Sequence, residues 1–154
     1  MDIGLNIADG VRVRLGDKIE NIVKLLEEKQ VDYTIPYKGK TGSDINMIMF
    51  MESCGVELNI FNDVITYIKC NNSESNYVMQ LKNGMQPIDA LLTIKQNLAR
   101  EFNVSEGDIR IDRFDGSSLN SMLSIPITKT HKAKIELVMG AKQKIFMHSI
   151  SITK

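Results

Sequence analysis

The sequence predicts an α+β fold of two helix-plus-antiparallel-sheet units, and three observations carry that expectation. Two stretches have helical periodicity: Ile19, Ile22, Val23 and Leu26 recur at i, i+3, i+4 and i+7, and Ile88, Leu91, Leu92, Leu98, Ala99 and Phe102 gather on one side of a second helix. Most of the remaining chain alternates apolar and polar residues with the period of two that antiparallel strands require. The order strand, Gly-containing turn, helix, strand and hairpin meander then occurs twice, as an internal duplication would leave it. The polar, turn-rich segment 71–76 divides the chain into units 1–72 and 73–154, expected to share one core.

Taken in order, Ile3, Leu5 and Ile7 alternate, Ala8-Asp9-Gly10 signals a turn, and Val11, Val13 and Leu15 alternate again in an opening hairpin. Gly16-Asp17 ends it, with Asp17 as the N-cap of a helix that stops near Gln30. Val31, Tyr33 and Ile35 predict a strand halted by Pro36, and Lys38 to Ser43 a polar loop. Beyond the boundary, Tyr77 to Leu81 is a short strand, and Pro87 suits the first turn of a helix that ends near Asn103. Ile109 and Ile111 alternate in a strand before a turn at Asp115-Gly116. Leu123, Ile125 and Ile127 surround Pro126, whose missing N–H favours an edge or a bulge. Last, Ala133, Ile135 and Leu137 pair with Ile150, His148 and Phe146 across a turn at Gly140 to Gln143, leaving Lys132, Lys134 and Glu136 on a solvated face.

The candidate site lies in the central stretch Ile45 to Ile68, which reads as three consecutive strands. A three-residue turn at Ser53-Cys54-Gly55 sets Phe50 opposite Leu58 and Ile48 opposite Ile60. A two-residue turn at Asn62-Asp63 sets Ile60 opposite Ile65 and Leu58 opposite Tyr67. One face then carries Ile48, Phe50, Val56, Leu58, Ile60, Ile65 and Tyr67 as core. The other carries Met47, Met49, Met51, Phe61, Val64 and Ile68, interrupted by Glu57, Asn59 and Thr66. Thioethers fill irregular core gaps and also suit adaptable interfaces. Met47, Met49, Met51, Phe61 and Ile68 are therefore the candidate partner-binding surface, with Glu57 and Asn59 as its polar rim. The competing assignment packs this face against the second half of the chain.

Across 154 residues the formal net charge is zero, which argues against wholesale electrostatic binding to nucleic acid or membrane. From Lys129 onward, however, six lysines stand against Glu136 alone. The start lacks the basic and apolar pattern of a signal peptide, and no apolar run reaches membrane-spanning length, so a cytoplasmic location is expected. The two cysteines, Cys54 and Cys70, make no disulfide framework; reduced thiols are expected, and whether they pair is left open. The sequence holds no GxSxG, GxxxxGK[ST], HExxH or CxxC, and Asp108, Asp112 and Asp115 lack the spacing of a calcium loop. His148 reads as a core or rim histidine. No catalytic residue, cofactor or metal is expected.

Residues 98–110, from Leu98-Ala99-Arg100-Glu101-Phe102-Asn103 to Arg110, resemble the helix-turn-helix of bacterial transcription factors. That resemblance implies a nucleic-acid-binding regulator built on residues 95–113. Gly107 in the would-be recognition helix opposes it, as do Asp112 at an apolar position and four acids against Arg110 and Arg113. Helix, turn, strand is the preferred assignment there. A small-ligand-binding domain is the third alternative. Over most of the chain the order of elements resembles that of the β-lactamase inhibitory protein family, whose members are tandem helix-plus-sheet inhibitors. In size and lack of catalytic motifs the chain is also similar to bacterial immunity proteins. These resemblances imply a non-enzymatic partner for another protein, a toxin or enzyme that it neutralises, or for a second copy of itself.

Overall fold

Turns and helix ends fall where the local chemistry asks for them. In the computed structural model, which describes residues 1–71, 74–115 and 120–154, β1 (Gly4–Ala8) and β2 (Val11–Arg14) form the opening hairpin, with Gly10 at φ 72°. Helix α1 (Ile19–Glu28) buries Ile22 and Leu26. Asp17 does not cap it. Its carboxylate instead accepts the Arg14 N–H at 2.9 Å, and its carbonyl accepts the Ile65 N–H, which ties the helix start to the sheet. Four strands follow, β3 (Thr34–Thr41), β4 (Asp44–Met51), β5 (Val56–Phe61) and β6 (Val64–Cys70), and then a short β7 (Tyr77–Gln80). Helix α2 (Pro87–Phe102) opens on its proline and closes on Asn103 in the left-handed conformation. The chain finishes with β8 (Arg110–Phe114), β9 (Ser121–Pro126), β10 (Lys132–Met139) and β11 (Lys144–Thr153).

The expected α+β arrangement of two helix-plus-sheet units is overturned. The chain is mostly strand, and its two meanders are one sheet. Strand β6 pairs with β11, giving the order β3-β4-β5-β6-β11-β10-β9-β8 with β7 also paired to β11: nine antiparallel strands beside the separate β1–β2 hairpin. Periodicity assigns a strand its two faces but leaves open which neighbour the last strand of a meander will take. The divide between units 1–72 and 73–154 falls at residues outside those described, and the turn at Asp115-Gly116 lies partly outside them.

The sheet has one packed face. Across it Met49, Leu58, Ile68, Ile150, Ile135 and Leu123 are register partners in one row, and all six have no exposed surface. Burying each contributes about 1.5–3 kcal/mol. Over this row lie Ile22 and Leu26 of α1, Ala90, Ile94, Leu98 and Phe102 of α2, and Leu5, Ile7, Val11 and Val13 of the hairpin, all in a single cluster. A polar clamp fastens the hairpin to the end of α2. The Asp2 carboxylate accepts from Arg12 and Arg14, Arg12 donates to Glu101 at 2.9 Å, and the Asp2 N–H donates to the Phe102 carbonyl.

Several local expectations are corrected. Lys38 to Thr41 continue β3 instead of looping, and Pro36 sits inside that strand. An edge strand tolerates both, because its outer N–H groups need no partner, and the register shifts between Thr34 and Tyr37. Ile109 is buried but Ile111, opposite Leu123 on the packed side, is 40% exposed, since β8 is the edge strand of the sheet. Ile135 pairs with Ile150 and Leu137 with Met147, because the hairpin loop is one residue longer than expected and a bulge at His148 displaces the register once more. After α2 the chain makes a 3₁₀ turn (Glu106–Asp108) and enters β8, so strand occupies the place of a recognition helix. Ile88 and Leu92, expected on the buried side of α2, are 62% and 52% exposed.

This packing sets a contrast between two leucines. Leu26→Ala should cost about 2–5 kcal/mol by loss of transfer energy and a residual cavity, and Leu92→Ala about 0.5 kcal/mol or less. Urea denaturation of both variants measures the difference; equal losses would contradict the packing of α2.

Candidate functional site: the outer face of the sheet

The faces of the central strands are reversed by one residue. Met51 pairs with Val56, so the β4–β5 loop is Glu52–Gly55, four residues long, with Gly55 at φ 66°. A shift of one residue turns every side chain of β4 to the other face relative to β5. The Asn62-Asp63 turn forms as expected, both residues having positive φ, but a bulge at Thr66 places Leu58 opposite Ile68 instead of Tyr67.

The methionines therefore point inward. Met49, Met51 and Ile68 are fully buried, and Met47 is half-buried against the same core. These four residues leave the candidate surface; their thioethers are core filler. Glu57, Asn59 and Phe61 alternate onto the outer face, where Phe61 is 41% exposed.

That outer face is built from two cross-strand rows. One runs Tyr37–Ile48–Asn59–Tyr67 across the first meander and Ser151–Lys134–Ser124–Arg110 across the second. The other runs Thr34–Phe50–Glu57–Lys69 and then Ser149–Glu136–Met122–Arg113. None of these residues belongs to the hydrophobic core, although Ser124 is itself buried, and no helix among the described residues packs over them. The face is graded: aromatic and aliphatic over β3 to β6, hydroxyl-rich and cationic over β8 to β11. Phe50 was missed as a site residue because the three-residue turn places it in the core, Tyr67 because an unbulged β6 does the same, and Tyr37 because the strand was expected to stop at Pro36. The signal that finds Phe50 is the alternation itself, once the loop has four residues.

Polar groups converge at the middle of the face. Burial pushes the Tyr67 phenol above its ordinary pKa, and the nearby Glu57 and Glu136 carboxylates push it further against a hydrogen bond with Ser149. His148 Nε2 lies 3.9 Å from Glu136 Oε1. Asn59 Oδ1 and His148 Nδ1 are buried without a hydrogen-bond partner. Unpaired polar atoms of this kind carry a desolvation cost that a docking donor or acceptor relieves. The arrangement can hold a polar group at its centre and apolar surface along the first meander.

Other candidate chemistry is not assembled. Cys54 and Cys70 are both free thiols; burial above all, with Cys54 nearby, pushes Cys70 up to about 12, so it is a poor nucleophile at neutral pH. Among the described residues no group of three or more His, Cys, Asp or Glu could hold a metal ion, and no helix is long and apolar enough to cross a membrane.

Two measurements check this geometry. Met49→Ser should destabilise the protein by about 2–5 kcal/mol, since it opens a cavity and buries a hydroxyl; a loss under about 1 kcal/mol in chemical denaturation would return the methionines to the surface. The raised Tyr67 pKa means that its neutral form is favoured by folding. That stabilisation is complete below the unfolded value near 10 and is lost as pH rises through the higher folded value. In a near-ultraviolet titration Tyr67, identified by its loss in Tyr67→Phe, should ionise above the ordinary phenol range, and Glu57→Gln should lower its midpoint. A Tyr67 phenol that ionises at its ordinary value, unmoved by Glu57→Gln, would contradict the cluster.

Comparison with known proteins gives no matching family model, no matching curated sequence and no matching solved structure.

Proposed function

We propose that the chain is a non-enzymatic protein-binding module that docks a folded protein against the outer face of its sheet, in the manner of an inhibitor or immunity protein. The observation that carries this reading is the uncovered row Tyr37–Ile48–Asn59–Tyr67, flanked by Phe50 and continued by cations. Aromatic residues and arginine are the side chains that most often anchor interfaces, because they bury large rigid areas and keep a polar end. Eight strands about 4.8 Å apart span roughly 34 Å, wide enough for the ~800 Å² per partner of a standard interface. The complementary partner surface has an apolar patch to meet Tyr37, Phe50 and Tyr67, a donor for Asn59 Oδ1, and acidic groups opposite Lys134, Arg110 and Arg113. Its site of action is the cytoplasm, where Cys54 and Cys70 remain thiols.

The test compares three forms of the chain as bait in the native host: wild type, Tyr67→Ala and Leu92→Ala. A protein retained by wild type and by Leu92→Ala, and bound at least about tenfold more weakly by Tyr67→Ala, is the expected result for an anchor at the centre of an interface. Equal retention by all three baits, or a loss confined to Leu92→Ala, would move the function away from this face.

A further inference from the structure

A second cluster lies at the far corner of the sheet from Tyr37, and it shares only Arg110 with the proposed docking surface. A cavity of about 390 Å³ opens where the start of β8, the β9–β10 turn and the end of β11 meet. Arg110, Lys129, Lys132 and Lys154 line it together with His131 and the hydroxyls of Thr128 and Thr130. No acidic side chain lines it, and none of the four cations has an ion-pair partner among the described residues. The positive charge of the site is carried by Arg110, Lys129 and Lys132, with Lys154 beside them.

The cations are gathered by the fold. Lys132 is held in register between Pro126 and Thr153, and Arg110 is paired to Ser124 on the adjoining strand. The turn that carries Lys129 is braced internally. The N–H groups of Ile127 and Thr128 both donate to the His131 carbonyl, and Thr128 Oγ1 accepts from the N–H groups of Thr130 (3.3 Å) and His131 (3.0 Å). A hydroxyl that accepts twice still has its own proton to give. Its contact with Thr130 Oγ1, at 3.5 Å, is long, and an anion oxygen is a stronger acceptor for that proton. Three like charges held around one cavity repel each other, and a bound multiply charged anion turns that repulsion into attraction.

We propose that this cavity is an anion-binding site for a phosphate group, free or carried as a monoester. A guanidinium, two ammonium groups and a hydroxyl donor match the charge and the several acceptor oxygens of phosphate better than the single charge of a carboxylate. The cavity is larger than the anion, leaving space for the group that a monoester carries.

The test is an amide NMR titration of the full chain, untagged, with inorganic phosphate and with phenyl phosphate, each against sodium chloride at equal ionic strength. The expected result is saturable shifts at Arg110 and at residues 128–132 with phosphate that chloride does not produce. Arg110→Gln/Lys132→Gln should weaken binding by about tenfold or more, since hydrogen bonds to charged groups are the strong ones, whereas Lys24→Gln on α1 should leave it unchanged. Lys129→Gln, at the exposed turn, repeats the test without touching a strand. Saturation by both ligands supports a monoester site, and saturation by inorganic phosphate alone supports a site for the free anion. Shifts that chloride reproduces, or affinity retained in the double variant, would overturn the assignment.

Discussion

The pairing of β6 with β11 is the constraint on which the rest of the structure depends. It consists of three register pairs, Lys69 with Ser149, Ile68 with Ile150 and Tyr67 with Ser151. The middle pair joins the two halves of the inner row, and both of its side chains are fully buried. The outer two pairs continue both rows of the outer face from one meander to the other. Because this contact is made, α1, α2 and the hairpin share one core, and the opposite face becomes a single surface instead of two. A sheet covered on one side only must carry polar or amphipathic residues on the other. Tyr67, Asn59, Lys134 and Ser151 do so here.

Local features were legible in the sequence because they rest on local chemistry. The opening hairpin, both helices, the left-handed pair Asn62-Asp63, Pro87 at a helix start and Asn103 at its end all form where the residues require them. The features that were not legible depend on a count or on a distant partner. A four-residue loop in place of three, and bulges at Thr66 and His148, each change one residue in a structure of period two, and each exchanges inside for outside. The adjoining of the meanders depends on a tertiary pairing that no periodicity encodes.

The candidate site was legible in the same partial way. Glu57 and Asn59 were recognised because polar residues inside an apolar strand need a solvated side, and Phe61 lies with them. Met47, Met49 and Met51 were set on the wrong face by the loop length, and Phe50 with them in the opposite sense; the bulge at Thr66 did the same to Ile68 and Tyr67. The period of two held within the unbulged stretches; the phase of β4, and of β6 beyond Thr66, did not. Phase is what decides whether a methionine is core or interface, since thioethers suit both.

The edges of the sheet bear on how a partner can approach. An exposed edge strand offers unpaired N–H and C=O groups, and edge-to-edge addition is the common way for a sheet to recruit another chain. Here β3 carries Pro36 with its register shift and the exposed Lys38 and Lys40. At the other end β8 carries a bulge and the exposed Arg110, Asp112 and Arg113. Proline removes a donor, bulges break the spacing of the ladder, and charges repel a second strand, so both edges are blunted. The outer face has no such defence along the first meander, where Tyr37, Ile48, Phe50 and Tyr67 stand in adjacent rows and shield one another enough to stay half-buried, apart from Tyr37 at the rim. A chain that closes its edges and leaves this surface open directs recognition to side chains and away from the backbone. Side chains discriminate between partners; backbone ladders do not.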